Sequence, residues 1–182
     1  IVAARVDALP VRPRLALRDA AVIGRRADLA LLATVAGDDG LTDPATWIGT
    51  EEFATVRDGV LEFREAAHRE IAYEGLAMSR RRTLHAAYAH LLASGPEPDA
   101  ALLAEHAVRG RDWSLAWDWT QRALEAALAR SAPDEAYAAA VDAVTVGARL
   151  DDPDQDRIGA LEEQAGDLAY RIGARADAAR WY

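Results

Sequence analysis

The chain has 182 residues, a formal net charge of −9 and no cysteine, and all 21 of its basic residues are arginine. It therefore contains no P-loop lysine, no Schiff-base lysine, no disulfide and no thiolate metal site. Its length suits one large domain or two small ones, each with a buried core.

The negative charge lies mainly in the second half of the chain. Residues 96–182 hold nine arginines and seventeen acidic residues, whereas residues 1–95 hold twelve arginines and thirteen acidic residues. A nucleic-acid-binding domain needs a basic surface for the phosphates, so we expect no nucleic-acid partner. No apolar run reaches the roughly 18 residues that span a bilayer, and no signal peptide is visible. We therefore expect no membrane partner and a cytoplasmic location.

Hydrophobic periodicity predicts four helices near the start of the chain, over residues 1–8, 14–24, 29–35 and 45–53. Asp28 is a capping residue for the third helix and Gly37 closes it, while Asp43-Pro44 begins the fourth. The chain starts inside the first of these helices, so we expect it to be a piece of a longer polypeptide.

A β-hairpin is predicted next. Two short runs with β-branched residues, 54–57 and 60–63, flank Asp58-Gly59, and this dipeptide is the strongest short signal for a two-residue hairpin turn. The helices predicted over 14–24, 29–35 and 45–53, followed by this hairpin, have the element order of a winged-helix domain. The sequence therefore predicts a winged helix in the first domain.

Charged and apolar residues alternate most closely in residues 63–85, which read FREAAHREIAYEGLAMSRRRTLH. Ile71, Leu76 and Leu84 give this stretch an apolar side, which predicts an amphipathic helix. We expect a basic turn at Arg80 to Arg82 to interrupt this helix, and a second helix to begin near Thr83. Together with the preceding elements, this stretch completes a first domain over residues 1–93.

Beyond a Gly- and Pro-containing linker at 94–98, the pattern predicts only antiparallel helices, over residues 99–109, 112–130, 131–150 and 152–173, and a fifth that runs to 182. The third starts with a sequence like a capping box at Ser131. It carries a row of small residues that lets helices approach closely: Ala136, Ala140, Ala143 and Gly147. In the second helix one apolar stripe contains Trp113, Ala116, Trp117, Leu124 and Leu128. The predicted fold is mainly α, with this helical array as a second domain over 99–182.

Two stretches resemble the region that follows the ATPase module in signalling ATPases of the STAND class. Residues 63–85 are similar to that family's "FRHALxREVAYEGLxxxRRRELH", and residues 1–37 are similar to its "LIAARLDxLPxxxRxLLxxAAVIGRxFDxxLL". These stretches resemble those of bacterial class III adenylate or guanylate cyclase-like proteins and of LuxR-type ATPase regulators. In residues 99–182 the spacing of Gly166, Gly173, Ala178 and Tyr182 resembles a tetratricopeptide (TPR) repeat.

The resemblance implies a non-catalytic regulatory and protein-interaction region of a larger signalling ATPase, linked to a cyclase domain in some relatives. The partner would be another protein or the ATPase domain of the same polypeptide. In the relatives, position 65 carries a histidine that contacts the phosphate of the bound nucleotide, whereas this chain has Glu65. An ionised carboxylate repels phosphate and donates no hydrogen bond, so we expect no cofactor in this chain.

No set of residues in the sequence forms a catalytic or metal site. The four histidines include one Glu65-x-x-His68 pair, which is half of a di-metal motif, and no second pair completes it. No serine lies in a nucleophile elbow. We predict no catalytic residues and no metal ligands, so an enzyme is the least supported reading.

The alternative is a DNA-binding transcriptional regulator that uses the winged helix directly. Its recognition helix would be residues 46–53, which hold no basic residue and two acids, Glu51 and Glu52. Entry into the major groove requires hydrogen-bond donors and positive charge, so this segment disfavours the alternative.

Overall fold

A computed structural model describes residues 2–181. Over these residues the chain is mainly helical, with ten α-helices, two short 3-10 helices and one three-stranded sheet. It divides into two compact units: the first ends at Tyr88 and the second begins at Ala89. The prediction of a mainly α protein is therefore confirmed.

The first unit contains all three strands. Its helices are α1 (Val2–Asp7), α2 (Val11–Ile23), α3 (Leu29–Ala36), α4 (Ala66–Glu74) and most of α5 (Met78–Ala93). Its strands are β1 (Arg26–Asp28), β2 (Ala54–Arg57) and β3 (Val60–Phe63), and the 3-10 helices are Asp39–Thr42 and Pro44–Trp47.

The predicted hairpin is confirmed, since β2 and β3 pair antiparallel across a two-residue turn. Asp58 (φ 51°) and Gly59 (φ 74°) both have left-handed backbones, which is the requirement of a type I′ turn. The sheet order is β1-β3-β2, so β1 adds a third strand that the sequence did not predict. Leu61 of β3 lies opposite Ala27 of β1, and both are buried in the core.

The caps predicted for α3 are also confirmed. The Asp28 carboxylate accepts a hydrogen bond of 2.9 Å from the Leu31 backbone N–H at the start of the helix. At its end Gly37 adopts a left-handed conformation, and the Asp38 N–H returns to the Ala33 carbonyl at 3.0 Å. These bonds satisfy backbone groups that the helix termini leave open.

The prediction of a helix over 45–53 is wrong. A 3-10 helix ends at Trp47, and the chain then turns through Gly49, whose φ of 90° is left-handed. The Trp47 indole N–H donates to the Leu41 carbonyl at 2.9 Å, and the Thr50 hydroxyl donates to the Trp47 carbonyl at 2.7 Å. These local bonds and the glycine favour a compact turn over a continued helix.

The predicted position of the basic turn is also wrong. Helix α4 ends at Glu74, and residues 75–77 connect it to α5, which begins at Met78. Arg80 to Arg82 therefore lie in the first turns of α5 rather than between two helices. Gly75, which leaves room for the Arg18 side chain, marks the true corner.

The core of the first unit lies between the sheet and helices α2, α3 and α4. Its largest fully buried side chains include Leu17, Leu32, Phe53, Leu61 and Phe63. Helix α4 packs against α2, and this contact brings the most patterned stretch of the sequence into the core of the unit.

The second unit is a stack of five helices, as predicted. They are α6 (Ala100–Gly110), α7 (Trp113–Ala129), α8 (Pro133–Gly147), α9 (Gln155–Arg171) and α10 (Arg175–Trp181). Each helix packs on the next, and the short connections make neighbours antiparallel. Of the four residues whose spacing resembles a TPR repeat, Tyr182 lies outside the described residues.

The small-residue row of α8 is confirmed as a contact surface. Ala136, Ala140 and Ala143 are fully buried, and a Cβ on Gly147 would lie 2.7 Å from Cζ3 of Trp117 and 2.8 Å from Cγ1 of Ile158. Helices α7 and α9 therefore approach α8 more closely than a larger side chain at this position would permit.

Two details of the array differ from the prediction. Ser131 forms no capping box: its φ is 56°, and the Ala132 N–H donates to the Ala127 carbonyl at 2.9 Å, which closes α7. The apolar stripe of α7 is buried at Ala116 and Leu124, as predicted, but Leu128 is 37% exposed and Thr120, outside the predicted stripe, is 1% exposed. The buried positions of α7 are occupied largely by alanine and threonine, and a prediction based on the large apolar side chains does not locate them.

The division at Tyr88 falls before the predicted domain end at residue 93. Ala89, Leu92 and Ala93 of α5 pack with Leu103 and Ala107 of α6, so the end of α5 belongs to the second core. The linker residues 94–98 do separate α5 from α6. No helix within residues 2–181 is both long and apolar enough to cross a membrane.

Candidate functional site

Glu65, the position to which the family resemblance drew attention, lies at the start of α4. Its backbone is extended (φ −132°, ψ 150°), its side chain is exposed, and it makes no capping hydrogen bond with the helix. Only the backbone carbonyl of Glu65 bonds to the first turn of α4, accepting from the His68 N–H at 3.1 Å, so its side chain does not cap the helix.

Two of the three arginines in the first turns of α5, Arg80 and Arg81, are engaged in contacts within the first unit. Arg80 forms a two-point ion pair with Asp19, with N–O distances of 2.5 and 3.3 Å. Arg81 donates to the carbonyls of Leu76 and Glu74 at 3.1 and 2.5 Å, and its guanidinium lies 4.7 Å from the centre of the Tyr73 ring. Arg80 thus joins α5 to α2, and Arg81 joins α5 to the end of α4, whereas Arg82 makes no hydrogen bond or ion pair among residues 2–181.

Two further bonds complete this network. Arg69 of α4 donates to the Ala21 carbonyl of α2 at 3.0 Å, and the Tyr73 hydroxyl lies 2.9 Å from Nε2 of His85. The most specific stretch of the sequence is therefore used mainly to join α2, α4 and α5. This supports a structural reading of residues 63–85.

The four histidines lie apart and play local roles. His68 packs edge-on against Phe53 with ring centres 5.5 Å apart, and His90 lies 2.8 Å from the Asp112 carboxylate. His85 and His106 are buried. Within residues 2–181, no group of three potential metal ligands comes together.

A cavity of about 440 Å³ in the first unit is lined by arginines that already have partners. Arg12 pairs with Asp38 at 2.9 Å, and Arg80 pairs with Asp19 across the same cavity. The Arg12 guanidinium lowers the pKa of Asp38, and Asp19 raises the pKa of Arg80. The third lining arginine, Arg18, pairs with Asp7, which does not line the cavity. Each of the three cations is already held by a carboxylate, which weakens the attraction of the cavity for an anionic ligand.

The best candidate site is a groove of about 310 Å³ in the second unit, formed by α6, α7 and α8. Its floor is buried and consists of small side chains: Ala104, Thr120, Ala123 and Ala127. The Thr120 hydroxyl donates to the Ala116 carbonyl at 2.8 Å, so its hydrogen is used inside α7. The floor therefore presents mainly methyl groups.

The rim of the groove is exposed and charged, and its residues are Ala101, Glu105, Arg130, Glu135, Ala138 and Asp142. Glu105 pairs with Arg109 on its own helix at 2.9 Å, and Arg130 pairs with Glu135 at 2.7 Å. Among residues 2–181, Asp142 has no hydrogen bond or ion pair.

The environment of Asp142 disfavours its negative charge. Although the residue as a whole is exposed, withdrawal of its carboxyl from water raises the pKa of Asp142, and the nearby charge of Glu105 raises it further. The groove therefore combines an apolar floor with an incompletely neutralised acidic edge.

The sequence did not predict this groove. Glu105 and Asp142 are 37 positions apart, and neither belongs to a motif with metal-ligand or catalytic spacing. The available signal was the run of alanines on α6, α7 and α8, because small side chains leave space between neighbouring helices. The tryptophans form no ligand cage: Trp113, Trp117 and Trp119 are half-buried and pack among the helices.

Comparison of the chain with protein-family models, with curated proteins and with solved structures found no match.

Proposed function

We propose that this chain is a non-catalytic regulatory and protein-interaction region of a larger multidomain signalling ATPase of the STAND class. The first unit acts as a winged-helix-type element that transmits the nucleotide state of the ATPase, and the second acts as a TPR-like array. The observation that carries the proposal is the groove on α6, α7 and α8, which has the shape and lining to accept a segment of a protein. Because the sequence also resembles cyclase-linked proteins, the proposal includes a signalling ATPase that carries a cyclase domain.

The contacts of the residues in the stretch 63–85 support an interaction role over catalysis. Arg80, Arg81 and His85 make contacts inside the first unit, and the described residues that line the groove include no histidine or serine. A groove with a methyl-lined floor suits apolar side chains of a partner, because burying their surface is favourable.

The DNA-binding alternative receives little support. Residues 46–53 form a 3-10 turn followed by a bend rather than an α-helix, and Glu51 and Glu52 are exposed within them. A turn with two exposed carboxylates faces strong repulsion from phosphate.

The proposal is tested by peptide selection and a matched pair of variants. Peptides are selected from a random phage-displayed library against the full chain, and their dissociation constants are measured by calorimetry. Ala138→Trp places a large side chain on the rim of the groove, whereas Ala129→Trp places one at an exposed position of α7 outside it. We expect Ala138→Trp to weaken binding at least about tenfold, which is about 1.4 kcal/mol, and Ala129→Trp to have no effect.

Melting curves of both variants verify that each is folded. If no selected peptide is weakened by Ala138→Trp in the folded protein, the groove is not a docking site and the proposal is wrong.

A further inference from the structure

The charges around the groove do not balance. Its lining holds three carboxylates, Glu105, Glu135 and Asp142, and one guanidinium, Arg130. Arg130 is bonded to Glu135, and the cation paired with Glu105 is Arg109, which does not line the groove. One edge of the groove, formed by α6 and α8, therefore presents two neighbouring carboxylates, and one of them has no cation within residues 2–181.

Such an edge favours a positive ligand for two reasons. A cation next to Asp142 would offset the loss of water around that carboxyl, and it would also reduce the repulsion from Glu105. A neutral or acidic ligand would do neither.

The floor of the groove narrows the choice of cation. Arginine and lysine carry apolar stems that rest on apolar surface while the charged end reaches a polar one. Here the stem would cover the methyl groups of Ala104 and Ala139, and the charged end would reach the rim. Arginine fits better than lysine, because its planar guanidinium donates to two carboxylate oxygens at once.

We infer that the groove docks a basic protein segment, with an arginine side chain placed between Glu105 and Asp142 and small apolar side chains on the alanine floor. This inference rests on the proposed function and specifies the chemistry of the partner. The charge of the whole second half of the chain agrees with it, since residues 96–182 hold seventeen acids and nine arginines. A field of that sign speeds the approach of a basic partner.

The same random peptide selection tests this inference. We expect the selected peptides to be enriched in arginine, and replacement of their shared arginine by citrulline, which keeps the shape and removes the charge, to weaken binding about tenfold. Asp142→Asn and Glu105→Gln should each weaken the same peptides by a similar factor. The controls Glu125→Gln and Glu163→Gln remove one exposed charge each at positions outside the groove and should change the affinity less than twofold.

The possible outcomes separate the two proposals. If peptides that Ala138→Trp weakens carry no arginine or lysine, or tolerate citrulline and Asp142→Asn, the docking groove stands and the basic-segment inference fails. If the control variants weaken binding as much as Asp142→Asn does, the attraction is general and the inference also fails. If no selected peptide responds to Ala138→Trp, both proposals fail.

Discussion

The groove around Asp142 changes the pKa of its carboxyl, and this change makes the stability of the chain depend on pH. Because its pKa in the folded chain is raised above the ordinary value of 3.8, the folded state binds more protons than the unfolded state just above that pH. Stability therefore falls as the pH rises from 3.8 through the folded-state pKa, and ionised Asp142 destabilises the fold at neutral pH. The other charged residues that line the groove are Glu105, Arg130 and Glu135, and among them the charge of Glu105 acts on Asp142.

We expect Asp142→Asn to raise the melting temperature at pH 7, because the amide removes a charge that has no cationic partner. Thermal melts of the variant and wild type between pH 3 and pH 8 measure the difference. The gain should be absent below pH 3.8, where the carboxyl is protonated in both states, and should reach its full size above the folded-state pKa. A variant that is less stable at pH 7 would show that the carboxylate is stabilised in the folded chain.

Arg80 makes the opposite kind of contact, an ion pair with a carboxylate that is mostly buried. The Asp19 side chain is only 12% exposed, and removal of Arg80 leaves it without its cation. We expect Arg80→Ala to cost about 1–2 kcal/mol, the lower part of the range for charged hydrogen bonds, because the arginine itself is 39% exposed.

The matched control is Arg82→Ala, two residues along the same helix, at an arginine with no bond or ion pair among residues 2–181. This change should stay within about 0.5 kcal/mol in urea denaturation. Equal losses for the two variants would mean that the Arg80–Asp19 pair contributes nothing specific.

At the scale of elements, the contact of α8 with α7 and α9 depends on a glycine. We expect Gly147→Ala to destabilise the chain by about 1–3 kcal/mol, because the new methyl group would overlap Trp117 and Ile158. Gly159→Ala on α9 is the control, since no atom lies within 4 Å of its Cβ position. That change should stabilise the helix by up to about 1 kcal/mol. Denaturant melts would contradict the packing described for α8 if both variants gained stability.

The elements that sequence reasoning located were those with strong local signals. Asp28 and Gly37 define α3, and Asp58-Gly59 defines the hairpin, because each satisfies a backbone requirement that few other residues meet. Strand β1 was missed because three residues are too short to show a period, and its pairing with β3 is non-local. The helix expected at 45–53 failed because side-chain bonds of Trp47 and Thr50 favour a turn there.

The candidate groove could not be predicted for a related reason. Its rim brings together Glu105 and Asp142 from two helices, and only the packing of alanines on α7 decides how far apart those helices lie. The sequence did show that residues 96–182 carry an excess of acidic residues, and the carboxylates at the rim of the groove are part of that excess.

For the whole molecule, the charge distribution leads to a prediction about DNA. The excess of acidic residues lies in residues 96–182, and the exposed Glu51 and Glu52 lie in the segment that would have to enter a groove. We expect no binding to duplex DNA at physiological salt, since protein–DNA affinity depends on neutralising phosphates. A gel shift that selects among DNA sequences at micromolar protein would contradict this expectation and favour the DNA-binding alternative.

Under the proposed function, protein segments dock in the groove of α6, α7 and α8. The most direct measurement is a methyl NMR titration of the chain, labelled at its alanine methyl groups, with the tightest peptide from the library selection. We predict shifts concentrated at the alanines that line the groove, namely Ala101, Ala104, Ala123, Ala127, Ala138 and Ala139. Shifts confined to alanines outside this set, or no shifts at saturating peptide, would contradict the claim.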